Sequence, residues 1–178
     1  NFPHASHMGG AWERMIRSAR NALSSLLASQ PCTLDDELLH TLLLEAEAIV
    51  NSRPLTYINS NDASEEPLTP MQLLTLKSKV VLPPPGAFVR EDLYCRKRWR
   101  KVQYLATQFW RRWITEFIPT LQERRKWQRQ EQNLTEGDIV LLVDENSARC
   151  RWPRGKVIET YPSDDGLVRK VKVRTKDS

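Results

Sequence analysis

The spacing of apolar residues changes near Gly137, and this change limits what the chain can fold into more than any other feature. Before Gly137, apolar residues recur at helical spacing from about residue 11 to 29, from 34 to 52 and from 91 to 118. After it, they alternate with polar residues in short runs rich in β-branched side chains. Because helices and strands occupy separate parts of the chain, the sequence predicts the α+β fold class.

Several helix ends are marked by specific residues. Thr33 is a suitable N-cap for the second helix, and Thr69 followed by Pro70 is typical of the start of a short helix. Pro119 is expected to end or kink the long helix, and a further helical piece is predicted over residues 120–130. The side chains predicted to be buried are Leu38/Leu39, Leu42/Leu43, Ala46 and Ile49/Val50 in the second helix, and Trp99, Val102, Ala106, Phe109, Trp113 and Phe117 in the long one.

The region after Gly137 predicts a small set of paired strands. Asp165-Gly166 is a turn signal before the last strand, in which Val171 and Val173 are expected to face inward. With a possible short strand over residues 148–152, the pattern predicts a barrel of four or five strands. The three principal predicted strands are Ile139–Val143, Lys156–Thr160 and Val168–Thr175.

The charge of the chain is positive and unevenly distributed. Lys and Arg number 27 against 22 Asp and Glu, which gives a net charge of +5 and favours an anionic partner. Residues 30–86 carry a net charge of −5, whereas residues 87–129 carry +8. In the last predicted strand, Lys170, Lys172 and Arg174 are expected to face outward. Two explanations remain open, a surface that binds a polyanion and a solvated helical face.

Composition argues against several classes of protein. No run of about 18 apolar residues occurs, so neither a membrane span nor a membrane partner is expected, and no motif indicates a small-molecule substrate. Cys32, Cys95 and Cys150 lie far apart, which favours a reducing compartment over a disulfide framework. His4 and His7 have H-x₂-H spacing without a second ligand pair, so zinc is not expected. Since position 1 is not Met, we expect the chain to be the tail of a longer product.

A proline-rich run, PPPG at residues 83–86, is the clearest candidate for a linker. It follows a helical, acidic region and precedes the long basic helix. The sequence therefore predicts three segments, residues 1–82, 83–133 and 134–178.

Four groups of residues occur in a recognisable order. They are PHASHMGGAWER at residues 3–14, EAIVNSRPL at 47–55, LTPMQLL at 68–74, and a set of tail motifs made up of FWRRW at 109–113, GDIVLL at 137–142 and the stretch from Trp152-Pro153 to Asp165-Gly166. Together they resemble the end of the catalytic core of retroelement integrases, in particular the Pao/BEL class of LTR retrotransposons, and the region that follows that core.

The resemblance implies a catalytic role for Glu13. In this family a glycine-containing loop leads into a helix whose first turn carries the last carboxylate of a D,D,E triad, and Glu13 stands at that position. The triad holds two divalent cations, for which Mg²⁺ is suited, so the resemblance implies Glu13 as a metal ligand only together with two aspartates upstream of this chain. The fragment alone is expected to be inactive. Without the resemblance, Glu13 is simply a favourable acid in a first helical turn.

The resemblance also implies contacts with DNA. Arg17 and Arg20 follow Glu13 on the same predicted helix face, where the family's basic residues contact the DNA end, and His7 is expected to reach DNA from the loop. The alternative for Arg17 is an i,i+4 surface pair with Glu13. The residues expected to bind DNA are His7, Arg14, Arg17, Arg20, Arg96, Lys97, Arg98, Arg100, Lys101, Arg111, Arg112, Lys170, Lys172 and Arg174.

The fold implied by the resemblance has three parts. Residues 1–82 are expected to be the last helices of an incomplete RNase H-like core, residues 83–133 a proline linker with a basic helical segment, and residues 134–178 an SH3-like β-barrel. The function expected is that of a C-terminal integrase fragment, which takes part in DNA strand transfer in the full-length protein. DNA and other integrase subunits are the expected partners, and the nucleus, after a cytoplasmic phase, is the expected location.

Two alternatives remain open. A non-catalytic DNA- or chromatin-binding module derived from a retroelement would keep only the basic helix and the barrel. In a pure protein-interaction scaffold, the basic face would merely be solvated. Trp152 and Tyr161 are the only aromatic residues of the predicted barrel, which is too few for an aromatic cage that reads methyl-lysine.

Overall fold

The computed structural model describes residues 10–30, 34–56, 67–77, 84–121, 133–142, 144 and 147–175, and it shows the α+β class. The described residues of 1–50 and 84–123 form one compact unit, unit 1, and those of 51–83 and 124–178 form a second, unit 2. None of the described helices is long and apolar enough to cross a membrane. The elements are α1 (Gly10–Ala28), α2 (Asp36–Asn51), α3 (Pro70–Thr75), a 3₁₀ helix (Arg90–Tyr94), α4 (Arg98–Leu121), β1 (Ile139–Leu141), β2 (Arg154–Pro162) and β3 (Val168–Thr175).

Helix α2 begins with a cap that the sequence did not single out. Asp35, directly before the helix, accepts a hydrogen bond from the Leu38 amide at its Oδ1, with a donor–acceptor distance of 2.8 Å. The predicted cap, Thr33, lies outside the described residues. Asp35 performs the role because its short carboxylate reaches the free amides of the first turn and favours the positive end of the helix dipole.

The core of unit 1 is built around α4. Phe109, Trp113 and Phe117 are almost completely buried and stack in sequence, with ring centroids 6.3 Å apart for the first pair and 5.2 Å for the second. Helix α1 packs against α4, and the buried Gln103 of α4 donates a hydrogen bond of 2.8 Å to Glu45 of α2. The predicted buried stripe of α4 is confirmed from residue 102 onward. Leu38, Leu42, Ala46 and Ile49 are likewise buried in α2, whereas Leu43 is exposed.

The start of α4 differs from the prediction. Continuous helix was expected from about residue 91, but a separate 3₁₀ helix covers Arg90–Tyr94 and α4 begins at Arg98. Asp92 caps the 3₁₀ helix by accepting a hydrogen bond of 2.9 Å from the Val89 amide. Trp99 was expected in the core, but 52% of its surface is exposed, and its ring packs edge-to-face against Phe88.

The end of α4 settles half of a prediction. Pro119 was expected to end or kink the helix, and it does not end it, because α4 continues two residues further, to Leu121; the kink stays a prediction. A proline removes only one intrahelical hydrogen bond, from its own nitrogen to the carbonyl four residues earlier, and leaves the bonds of neighbouring residues in place. Of the predicted helical piece over residues 120–130, only residues 120 and 121 are described, and they belong to α4.

Unit 2 contains an antiparallel sheet in the order β1-β2-β3. Among the described residues it has three strands, so the expected four or five are not confirmed. Residues 148–152 turn instead of pairing, since the Arg151 amide donates to the Ala148 carbonyl and Cys150 has a φ of 61°. An open sheet is shown, and the predicted barrel is not.

Local signals in unit 2 are confirmed. Thr69 and Gln72 form a reciprocal capping box at the start of α3, with Pro70 in the first turn. The turn before β3 closes with a hydrogen bond of 2.8 Å from the Gly166 amide to the Ser163 carbonyl, and Gly166 has a φ of 76°. The predicted segments 1–82, 83–133 and 134–178 stay a prediction.

Candidate nucleic-acid interface

The register of the sheet brings five cationic side chains onto one face. Val157 is buried on one face of the sheet and lies opposite Val173. The residues next to Val157 on β2 and next to Val173 on β3 therefore point to the other face. On β3 this face carries the predicted outward row, whose three members are exposed. On β2 it carries two cations that sequence reasoning missed. We call this surface the basic sheet face, and it consists of Arg154, Lys156, Lys170, Lys172 and Arg174.

Two of these cations lie directly opposite each other. Lys156 on β2 is the register partner of Arg174 on β3, and in an antiparallel pair such side chains share a face. Like charges at directly opposed positions destabilise a sheet. The same Lys156 faces Ile139 on β1, which offers no compensating charge. The sheet therefore tolerates an unfavourable arrangement that an anionic ligand would relieve.

One carboxylate lies on the same face, at its far end. Glu159 Oε2 is 3.7 Å from Lys172 Nζ. The Tyr161 hydroxyl donates a hydrogen bond to Glu159, and this bond is the main cause that raises the pKa of Tyr161 above its usual range. The ammonium of Lys170 lies 5.7 Å from the centroid of the Tyr161 ring. This end of the face is thus partly neutralised, whereas Lys156 and Arg174 form no ion pair with any residue that the structure describes.

Three of the cations predicted to bind DNA from α4 have structural partners instead. Arg98 forms ion pairs with Asp35, at 3.2 Å, and with Glu37 at the start of α2. Arg100 binds Asp92 through two nitrogens. Their positive charge is therefore compensated inside unit 1.

Arg112 likewise acts within unit 1. Its guanidinium donates to the hydroxyls of Ser25 and Ser29 at the end of α1. Helix α1 has no basic residue in its own last turn, so a cation supplied by α4 stabilises the negative end of its dipole. Of the other predicted residues in this region, Arg96, Lys97 and Arg111 are exposed and Lys101 is half-buried.

The predicted residues of α1 are all exposed. Glu13, Arg14, Arg17 and Arg20 lie on the first three turns of the helix, and between the described residues of α1 no ion pair joins Glu13 to Arg17. The i,i+4 pair considered as an alternative is therefore not formed. His7 lies outside the described residues.

The surroundings of Glu13 do not form a metal site. Among the residues that the structure describes, no group of three or more His, Cys, Asp and Glu side chains comes close enough to hold an ion. One exposed carboxylate cannot provide the ligand set of a two-cation site. Ligation of Mg²⁺ by Glu13 therefore stays a prediction that requires further carboxylates.

The two missed cations, Arg154 and Lys156, carry a weak sequence signal. Residues 130–178 contain nine basic and nine acidic residues, so the segment appears neutral in a charge count. Alternation along β2 places Arg154 and Lys156 on one face and the small Gly155 on the other. It does not show which strand lies beside β2. Only the pairing with β3 reveals that these charges join the row of Lys170, Lys172 and Arg174.

The fold and this surface define an α+β protein whose small antiparallel sheet has a basic face. Residues 97–178 match the sequence model of DUF5641, which is described as a family of unknown function. The matched region runs from the residue before α4 through β3, so it contains the whole basic sheet face. No curated protein and no solved structure matches the chain.

Proposed function

We propose that this protein binds DNA without sequence preference through the basic sheet face. The observation that carries the proposal is the opposed pair of Lys156 and Arg174, whose mutual repulsion a phosphate group between them would convert into attraction. Phosphate contacts of this kind position a protein on nucleic acid and carry no sequence information. The exposed Arg96, Lys97 and Arg111 of unit 1 are further candidates for contacts with the backbone.

The resemblance to Pao/BEL-type integrases gives this activity a context. We propose that the chain is the C-terminal region of such an integrase, with α1 and α2 from an RNase H-like core and the sheet from an SH3-like barrel. In the full-length protein it would contribute Glu13 to a Mg²⁺ site, contact DNA and other integrase subunits, and act in the nucleus. The exposed position of Glu13 and of Arg17 at the start of α1 is compatible with this role.

A second candidate is a DNA- or chromatin-binding module without catalysis. The same surface supports it, and it requires neither Glu13 nor further carboxylates. One experiment distinguishes the two candidates. A longer protein that includes the upstream aspartates should join DNA ends in a metal-dependent way if the chain is part of an integrase, and should not if it is a binding module. A protein-interaction scaffold, the third possibility, predicts no binding of DNA by the basic sheet face.

Charge reversal tests the proposed surface. A fluorescent duplex is titrated with the wild-type chain and with the double variant Lys156→Glu/Arg174→Glu. The variant should bind the duplex at least tenfold more weakly, and the loss of affinity should be the same for duplexes of unrelated sequence. The matched control is Lys77→Glu, which reverses a charge at an exposed position outside the face. Equal affinity of the wild-type chain and the double variant would refute the assignment of this surface.

A further inference from the structure

A polar cleft in unit 1 lies between the end of α1, the 3₁₀ helix and α4. It has a volume of about 220 Å³, and one water molecule needs about 10–15 Å³ of such space. Its walls are Leu26, Ser29 and Gln30 from α1, Arg90 and Leu93 from the 3₁₀ helix, and Tyr104, Gln108 and Arg112 from α4. We call it the Arg90 cleft.

The lining of the Arg90 cleft is rich in hydrogen-bond donors and contains no carboxylate from the described residues. Tyr104, Gln108 and Arg112 are spaced four residues apart, so they form one row along α4 and present a hydroxyl, an amide and a guanidinium to the cleft. Arg90 contributes a second guanidinium from the 3₁₀ helix. Two cations and two neutral donors around a small open volume are the chemistry that recognises an oxyanion.

Three of these donors have no partner within the part of the chain that the structure describes. Arg90, Tyr104 and Gln108 make no hydrogen bond or ion pair there through their side chains, although Tyr104 and Gln108 are half-buried. Half-buried polar groups are normally satisfied by protein or by bound solvent. The cleft therefore offers donors that no described residue uses.

The C-terminal end of α1 would repel an anion if its carbonyl groups were free, because it is the negative end of the helix dipole. The Leu26 carbonyl, however, accepts hydrogen bonds from the Ser29 amide, the Ser29 hydroxyl and the Gln30 amide group, at 3.2, 2.7 and 3.2 Å. Arg112 adds a positive charge to the same helix end. The dipole is thus compensated locally, and the charge of Arg90 remains available.

We propose that the Arg90 cleft binds a phosphate group through Arg90, with Tyr104 and Gln108 as neutral donors, while Arg112 keeps its hydrogen bonds to Ser25 and Ser29. The site lies wholly in unit 1 and does not use the basic sheet face, so it can be present or absent independently of the proposed function. The phosphate can be a free or terminal phosphate or a phosphodiester of a nucleic acid backbone, and the test distinguishes these sources.

Calorimetric titration of the full chain with inorganic phosphate, at an ionic strength held constant with chloride, tests the proposal. Binding is expected for the wild-type chain and about tenfold weaker for Arg90→Gln, because one charge-assisted contact is lost. Gln108→Glu should abolish binding by placing a carboxylate in the cleft, and Gln108→Leu provides a milder variant if the former unfolds. Lys77→Gln, which removes one exposed charge outside the cleft, should bind phosphate as the wild-type chain does.

Competition by oligonucleotides identifies the source of the phosphate. If a 5′-phosphorylated oligonucleotide displaces phosphate better than its dephosphorylated form, a terminal phosphate is the ligand. If both displace it equally, the backbone is the ligand, and if neither does, a free phosphate is. Absence of phosphate binding, or equal binding by the wild-type chain and Arg90→Gln, would overturn the proposal.

Discussion

Asp92 and Arg100 face each other at the start of α4. Arg100 Nε lies 2.6 Å from Asp92 Oδ1, and Arg100 Nη2 lies 3.3 Å from Oδ2. The carboxylate also caps the 3₁₀ helix through the Val89 amide. The guanidinium lies over the Phe88 ring, 5.7 Å from its centroid. This pair therefore fixes the chain before α4, and Arg100 has a structural role although it belongs to the most basic segment of the sequence.

Acid should weaken unit 1 through Asp92. The hydrogen bond from Arg100, followed by the one from the Val89 amide, holds the pKa of Asp92 below its usual range. A carboxyl group with a lowered pKa stabilises the fold above the unfolded pKa of about 3.9, and this contribution is lost as the pH falls through the lower, folded value. We expect Asp92→Asn to be less stable than the wild-type chain at pH 7 and to lose less stability between pH 5 and about pH 2. Urea unfolding followed by helical circular dichroism measures both effects.

The control for Asp92 is its exposed neighbour Glu91, which the structure leaves without an ion pair among the described residues. Glu91→Gln should leave the acid dependence of stability unchanged. If Asp92→Asn and the wild-type chain showed the same dependence on pH, the role given to the pair would be wrong.

Gly155 should resist substitution because β3 lies too close for a side chain. A Cβ atom at this position would overlap the Val173 side chain and lie 3.0 Å from the Arg174 carbonyl oxygen. We expect Gly155→Ala to lower the free energy of unfolding by about 1–3 kcal/mol, as overpacking does. Gly10→Ala is the control, since a Cβ atom there meets nothing within 4 Å. Thermal unfolding of both variants is the measurement, and equal stability would contradict the close approach.

Residues 1–82 alone should not fold cooperatively. Leu26 of α1 and Leu42 of α2 are buried in a unit whose core includes four large aromatic side chains from α4. Short amphipathic helices without a packing partner are marginal in water. A fragment of residues 1–82 should therefore show a gradual thermal transition. In the full chain, Trp113→Ala should lower the free energy of unfolding by about 3–5 kcal/mol. A sharp transition of the fragment would show that α4 is dispensable.

DNA binding should depend strongly on salt. If the five cations of the basic sheet face each neutralise one phosphate, log K should fall with log salt with a slope near −4 to −5. Replacing Lys170, Lys172 and Arg174 with Glu should flatten this slope and weaken binding to all sequences alike. A duplex titrated at several chloride concentrations gives both quantities, and binding indifferent to salt would leave the scaffold as the better explanation.

The chain by itself should not join DNA ends. Glu13 is the only member of the expected triad in this sequence, and no cluster of metal ligands surrounds it in the described residues. Processed DNA ends incubated with the protein and Mg²⁺ or Mn²⁺ should give no strand-transfer product. Metal-dependent joining that disappears in Glu13→Gln would mean that the site is complete without upstream residues.

The sequence by itself determined the type and the approximate position of the described α-helices and strands, although not of the 3₁₀ helix at Arg90–Tyr94. The helical spacing around Phe109 and Trp113 predicted the buried stripe of α4, and the alternation around Val171 and Val173 predicted the outward row of β3. These features are local, since a period of 3.6 or of two residues shows directly which side chains share a face. The same is true of the Thr69 cap, whose partner lies three residues away.

Only the tertiary structure decided which charged side chains form ion pairs or hydrogen bonds and which like charges lie opposite each other. The sequence could not show that Arg112 reaches the end of α1, that Arg98 pairs with Asp35, or that Lys156 opposes Arg174. Each of these relationships joins residues that are distant along the chain. The register of two strands and the packing of two helices are set by the whole buried surface, so they cannot be deduced from the spacing within one segment.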